Sequence, residues 1–478
     1  MKNLEPKKIW EHFYSLTQIP RPSGHKEAIS KFVADFGKQL NLPTEVDEIG
    51  NVIIRKPASA GYESHPGVIL QAHLDMVPQK DDNLAFDFTK DPIQTVVEGE
   101  WVTAKGTTLG ADDGMGVAMI MAVLEDNTLQ HPAIEALFTV DEETGMYGAF
   151  DLKAGALKGQ VMINLDSEQE GEFIIGCAGG VDAVATFDFQ PKEVTGDVVA
   201  FQLSVEGCKG GHSGVDIHLQ RANANKLLFR LLKMLVRDNL ARLSSVQGGD
   251  MRNALPRSSM AIFTVPKSEQ KDIEKVVASF EKLVQTEYKG VEDSLKISVK
   301  EVAKPKNWLP EETQDWLIHA ITACPHGVYR FIQNQPQTVE TSDNIGIIAT
   351  KENQIEVACL LRSTSESRKK ELREIVDSVF ALAGAKVEFS GDYPGWQPNF
   401  DSRVTKVVQE TYKEEFNKEG EIKVIHAGLE CGIINRYYDL DICSIGPTIL
   451  HPHSPSEKVN IASVQHCYQL LKAVLKKL

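Results

Sequence analysis

The sequence predicts an α/β chain whose sheet is interrupted by a long α+β insertion, and three observations predict it. Over the first third, short continuous apolar runs bounded by turns alternate with amphipathic helical stretches, the pattern of a mainly parallel sheet. From about Val198 that alternation gives way to strands and helices mixed as in small α+β sandwiches. After Tyr393-Pro394-Gly395-Trp396 the first texture returns. At 478 residues the chain is longer than one core usually supports, so two domains are expected. The expected division is an α/β domain over 1–183 and 393–478, with the insertion over 184–392.

In the first part, 28–40 reads as a helix and 51–55 as a strand. GVILQA at 67–72, IEALFTV at 134–140 and VMINL at 161–165 are apolar runs of strand length, suited to buried strands. A Gly-rich turn precedes the helical stretch 114–124. In the insertion the order is strand from 198, helix 222–240, strand 260–265, helix 270–287 and strand 295–301. Helix 314–324, strands 338–350 and 354–361, helix 369–383 and strand 385–390 follow. This order allows two ferredoxin-like (split βαβ) units, one after the other. Helix 404–415, strand 441–445 and helix 461–475 complete the chain.

Composition excludes several functions. Lys and Arg number 51 against 67 Asp and Glu, a formal net charge of −16 that repels nucleic-acid backbones and anionic membrane surfaces. No apolar run reaches the ~20 residues of a membrane-spanning helix, and the charged start MKNLEPKKIWEHF lacks a signal-peptide core. The seven cysteines are scattered with no CxxC pair, as in a reducing compartment. The expectation is a soluble cytoplasmic protein with no nucleic-acid or membrane partner.

The residues that carry the chemistry stand at the ends of the apolar runs. His73 directly follows GVILQA, Asp141-Glu142-Glu143 follow IEALFTV, and Asp166 follows VMINL. Polar, ligand-capable groups at the carboxyl ends of buried strands are where open α/β sheets build their sites. Asp112, in the turn before the helix, falls at the same edge. Taken singly, each is an ordinary strand-end or turn residue; their concurrence points to a metal site. Imidazole and carboxylate donors without thiolate suit zinc, cobalt or manganese. One carboxylate bridging two ions ~3.5–4 Å apart would orient both water and substrate carbonyl. Asp75, two residues beyond His73, can hold the imidazole in its ligating tautomer. Side chains of neighbouring Glu142 and Glu143 diverge, so one can ligate while the other stays free as a general base.

The motifs QAHLDMV, LGADDGMGVA, TVDEETGMYGA, INLDSE and HSPSE resemble the co-catalytic di-metal peptidases that include aminoacylase, tripeptide aminopeptidase, glutamate carboxypeptidase and carnosinase. PRPSGH, GCKGGHSGVDIH, RNALPR, LLRSTSES, YPGW and HAGLECG are similar to the aminoacyl-histidine dipeptidase subgroup, over nearly the whole chain. The resemblance implies a di-zinc-peptidase-like α/β catalytic domain with an inserted lid. It implies one metal on His73, Asp112 and Asp166, and a second on Asp112, Glu143 and His453. Glu142 becomes the implied general base, with Asp75 behind His73. Adjacent Asp113 is then a candidate capping residue, and the His-x-Pro-x-Glu spacing selects His453 over His451. Gly114-Met115 stands where some relatives carry Lys.

In the insertion, the resemblance implies that His212 in GGHSG polarises the scissile carbonyl, and that Asn253 and Arg362 hold the substrate's terminal carboxylate. Glu430 in HAGLECG is the implied contact of its amino group. The implied reaction is hydrolysis of unblocked dipeptides, Xaa-His and β-alanyl-histidine among them, by a water bridging two divalent ions, zinc first, with Glu142 moving the proton. A homodimer is compatible with this. Tripeptide aminopeptidase, N-acyl amino acid deacylase and a catalytically silent metal-binding protein of the same fold are the rival readings.

Overall fold

The computed structural model of the protein describes residues 1, 3–333 and 335–478. The chain divides into two compact units. The first comprises Met1–Gly176, Trp396–Val424 and Leu429–Leu478; the second comprises Cys177–Gly395 and Ile425–Gly428. The expected boundary at 183/184 falls inside the strand Gly179–Asp188, and that at 392/393 inside Lys386–Tyr393. The return of Ile425–Gly428 to the second unit has no counterpart in the expected division.

The first unit is built on an eight-stranded sheet. Its order is Thr44–Val46, Val52–Lys56, Ile134–Thr139, Val68–His73, Val161–Asn164, Asp441–Ser444, Glu172–Cys177, Glu421–Ile425. The inner four strands, from Ile134–Thr139 to Asp441–Ser444, run parallel. Every residue of Val68–His73 and Ile134–Thr139 is buried, which is why these strands read as unbroken apolar runs. Residues 111–124 of the helix Ala111–Glu125 are all buried as well, and from Gly114 to Leu124 the helix is apolar on every side. Trp10 and Phe13 of the helix Lys7–Thr17 enter the same core. That helix is amphipathic, with Ile9, Trp10, Phe13 and Leu16 buried beneath its charged residues. Parallel strands share one carboxyl edge, and His73 pairs with Thr139 there, in register.

The second unit contains a nine-stranded sheet. Strands Val198–Glu206, Arg242–Gly248, Ser259–Pro266 and Lys296–Val302 lie in the spatial order fourth, first, third, second, with helices Ala224–Asn239 and Gln270–Glu287 at the two crossovers. This is a complete split βαβ unit. Strands Gly179–Asp188, Gln335–Thr350, Gln354–Ser363 and Lys386–Tyr393 form another, in the order second, third, first, fourth, with helices Glu311–Ala323 and Glu366–Leu382. The two are therefore nested and not consecutive, a correction to the expected order. Gly179–Asp188 opens the second βαβ unit, the whole first one intervenes, and the second resumes at Glu311. Gln247 and Gly248 pair with Ala349 and Ile348 to join the two into one sheet. No helix among the described residues is long and apolar enough to cross a membrane.

Candidate metal centre

His73 ends its strand with only 1% of its surface exposed. Its Nε2 lies 3.1 Å from Asp112 Oδ1 and 3.5 Å from Asp166 Oδ1. The other oxygen of Asp112, Oδ2, lies 3.0 Å from His453 Nε2, which is also 3.1 Å from Glu143 Oε2. Asp112 thus stands between two imidazoles and offers one oxygen to each. Asp166 arrives from the turn after Val161–Asn164, Glu143 from the turn after Ile134–Thr139, and His453 from the loop between the short strands Ile449–Leu450 and Lys458–Asn460.

The adjacent acid, Asp113, also comes within ligand distance of His73 and Asp166. It differs from Asp112 in its partners: its Oδ2 accepts the His73 backbone N–H (3.3 Å) and its Oδ1 the Gly116 N–H (3.1 Å), which ties it to the strand end and the helix start. The Asp112–Asp113 peptide is cis. His451 joins none of the metal-ligand groups among the described residues.

The electrostatics ask for cations. Burial favours a neutral His73, yet the carboxylates of Asp166, Asp112 and Asp75 hold its pKa well above the ordinary value. His453 is pushed up to about 11 by its bonds to Asp112 and Glu143. Burial raises Asp166 to about 7, with Asp112 and Glu143 adding repulsion. Unit charges 4 Å apart interact by about 4 kcal/mol at an effective dielectric of 20, so so many acids close together need positive charge among them. Glu143 Oε1 is buried with no hydrogen-bond partner. A hard-to-borderline donor set with an unused buried oxygen fits a pair of divalent ions.

Asp75 backs the site. It lies 3.6 Å from His73 Nδ1, accepts the N–H groups of Glu142 (3.0 Å) and Glu143 (3.3 Å), and takes the Ser23 hydroxyl at 2.7 Å. The Glu142 carboxylate accepts no hydrogen bond among the described residues. Burial, then repulsion from Asp166, Glu143 and Glu430, raises its pKa well above the ordinary value, although His73 opposes this. Glu430 is fully buried at the start of the short helix Glu430–Asn435. It accepts from Gln71 Nε2 (2.7 Å) and Thr139 Oγ1 (2.5 Å), an interior position and not an open one.

In the second unit, His212 Nδ1 accepts the N–H groups of Gly214 (3.3 Å) and Val215 (3.0 Å), which places the ring proton on Nε2. Burial and the Arg362 charge push its pKa down to about 4, against the opposing pull of Asp216. Arg362 Nη2 lies 3.5 Å from His212 Nε2, and Nη1 donates to Tyr393 Oη at 2.8 Å. Two donors side by side make an anion site. Arg362 is 5% exposed, so it is no surface arginine; its Nε is buried without a partner. The exposed Asn253 sits beside His212: its carbonyl accepts the Ser213 N–H (2.8 Å), and Asn344 Nδ2 fastens the carbonyls of Arg252 and Ala254 on either side. The structure therefore brings all three insertion residues together.

Two participants went without a role in the sequence: Tyr393 of YPGW, and Arg21 of PRPSGH, which donates to the carbonyls of Leu74 (2.8 Å) and Asp75 (3.0 Å). Each stands in a motif quoted above, and that is the only signal for it.

A carboxylate shared by two imidazole-and-acid groups at the edge of a parallel sheet defines a metal-dependent hydrolase. The chain belongs to peptidase family M20/M25/M40, whose family model matches residues 69–477. It is 43% identical over 479 residues to a cytosol non-specific dipeptidase of Escherichia coli, covering 100% of this chain and 99% of the relative. Among solved structures, the aminoacylhistidine dipeptidase of Vibrio alginolyticus matches with a TM-score of 0.93 at 43% identity, over 100% of this chain and 98% of that one. A Staphylococcus aureus tripeptidase matches at TM-score 0.58 and 15% identity, over 99% and 98% of the two chains, a likeness of fold alone.

Proposed function

We propose that the protein hydrolyses unblocked dipeptides in the cytoplasm, favouring those that end in histidine, β-alanyl-histidine included. The observation that carries this reading is Asp112, with His73 on one oxygen and His453 on the other. The descriptions of the Escherichia coli and Vibrio alginolyticus relatives support dipeptides, the first without and the second with a histidine preference.

His73, Asp112 and Asp166 would hold one ion, and Asp112, Glu143 and His453 the other; zinc suits the set first, with cobalt or manganese as alternatives. When bound, the pair supplies Lewis acidity to the scissile carbonyl and lowers the pKa of water toward ~7. Glu142 takes the proton from the attacking water and passes it to the leaving amine, a task open to a carboxylate left off the ions beside the ligand Glu143. His212 donates its Nε2–H to the oxygen on which charge develops. Arg362, with Asn253, takes the substrate's terminal carboxylate. Glu430 supports the strand ends through Gln71 and Thr139 with one oxygen, and its second, buried without a partner, is the candidate contact of the substrate's amino group. His212 and Arg362 meet within one chain, so the carboxylate site needs no second subunit, although a homodimer remains compatible.

The test is a substrate panel of β-alanyl-histidine, a second dipeptide, a tripeptide and an N-acetyl amino acid. Cleavage of the dipeptides, fastest with C-terminal histidine and abolished by a chelator, is expected. Faster cleavage of the tripeptide or the acylated amino acid would overturn the reading.

A further inference from the structure

Glu457, four residues beyond His453, turns its carboxylate to the loop that carries Asp112. Oε2 accepts the N–H groups of Leu109 (2.7 Å) and Gly110 (3.0 Å), and Oε1 those of Ala111 (2.7 Å) and Asp112 (3.3 Å). Four consecutive peptide groups thus close on one side chain that is 1% exposed. From the other side, Arg21 Nη2 donates to the Gly110 carbonyl, while its Nη1 holds the carbonyls of Leu74 and Asp75, directly after His73. Gly110 has φ +71°, and a Cβ there would stand 2.6 Å from Arg21 Nη2 and 2.8 Å from Met76 Sδ, so only glycine lets the brace close.

We infer that Glu457 is a positioning residue for the metal centre: with Arg21 it clamps residues 109–112 from both faces and so holds Asp112 between His73 and His453. This rests on the two-metal reading above. One loop, 451–457, then carries both His453 and the group that aims Asp112, so the second-ion ligands His453 and Asp112 are fixed to each other through Glu457. A carboxylate is required because it accepts from all four donors; an amide offers one acceptor oxygen and sets an N–H₂ donor against peptide N–H groups. A purely structural cap at the start of the helix Ala111–Glu125 would affect folding stability and leave ion affinity alone. Clamping a ligand affects ion affinity in the folded protein.

The measurement is calorimetric zinc titration of the chelator-stripped full chain, with folding checked by circular dichroism, on wild type, Glu457→Gln and Glu457→Asp. Folded Glu457→Gln is expected to bind zinc about 10–100-fold more weakly, with Glu457→Asp intermediate. At saturating zinc the KM for a dipeptide stays at the wild-type value while kcat falls. If Glu457→Gln does not fold, the same titration on Glu457→Asp decides. Affinity within about twofold of wild type in the folded variant would overturn the inference. A wild type that takes up fewer than two ions would instead overturn the metal-centre reading.

Discussion

Asp75 accepts the backbone N–H of Glu142 at 3.0 Å while its carboxylate also lies 3.6 Å from Nδ1 of His73. Asp75 therefore holds the ring of a proposed metal ligand, with its backbone carbonyl 3.2 Å from the same Nδ1 and its carboxylate charge behind, and through that carboxylate it holds the turn that carries the proposed general base. The link to His73 is local and the link to Glu142 is not: His73 ends one strand and Glu142 follows its neighbour, so the pairing His73↔Thr139 is what brings them together.

Replacing Asp75 acts on both. Asp75→Ala is expected to lower kcat/KM and zinc affinity together, each by about 10–100-fold. Steady-state kinetics alongside zinc titration checks this; a variant that loses activity with unchanged zinc affinity would confine Asp75 to the Glu142 turn.

Glu142 separates from the ligands in the opposite way. Glu142→Gln keeps the shape and removes the proton acceptor, so kcat is expected to fall by about 10²–10⁴-fold with two ions still bound and KM little changed. Loss of an ion from this variant, read by metal analysis, would make Glu142 a ligand instead of the base.

Arg362 is tied to Tyr393 and stands beside His212. Arg362→Lys keeps the charge and loses the planar fork, so KM for a dipeptide is expected to rise by about tenfold or more, a cost of about 1.4 kcal/mol per factor of ten. For a dipeptide amidated at its C-terminus the wild type and the variant are expected to be equally poor. A variant with wild-type KM on the free acid would move the carboxylate site elsewhere.

Acid is expected to weaken the second unit through its buried histidines. His212 is pushed down to about 4, and His326 and His426 to about 3, in each case first by burial and then by positive neighbours. A lowered folded-state pKa means that the unfolded chain binds protons first. Stability is therefore full above ~6.5, the unfolded value, and is lost as pH falls toward 4 and then 3, on the order of a few kcal/mol per histidine. Urea unfolding at stepped pH checks the slope, and His326→Asn is expected to flatten it.

Much of the centre was legible from sequence because its parts are local. An apolar run that stops at a histidine or an acid, as at His73 and Asp166, is a buried strand reaching an edge. Asp112 and Asp113 could not be told apart physically, since adjacent acids diverge and only the tertiary fold shows that Asp113 turns to Gly116 and the His73 N–H. His453 lies in a loop without periodicity, and resemblance alone singled it out. Arg362 reads as a surface arginine in isolation; it is buried because Gln354–Ser363 is an inner strand, paired on both sides. The nested order of the two βαβ units was hidden because Gly179–Asp188 finds its partner Gln354–Ser363 far along the chain, and no local pattern records such a pairing. The charges of the opening residues mask the apolar spacing of the helix Lys7–Thr17.

The central claim is that Asp112 is shared by two ions, and anomalous diffraction from crystals of the zinc-loaded protein tests it most directly. The account predicts two zinc peaks flanking the Asp112 carboxylate, one against His73 and Asp166 and the other against Glu143 and His453. A single peak, or a peak coordinated by Asp113 with Asp112 turned away, would contradict it.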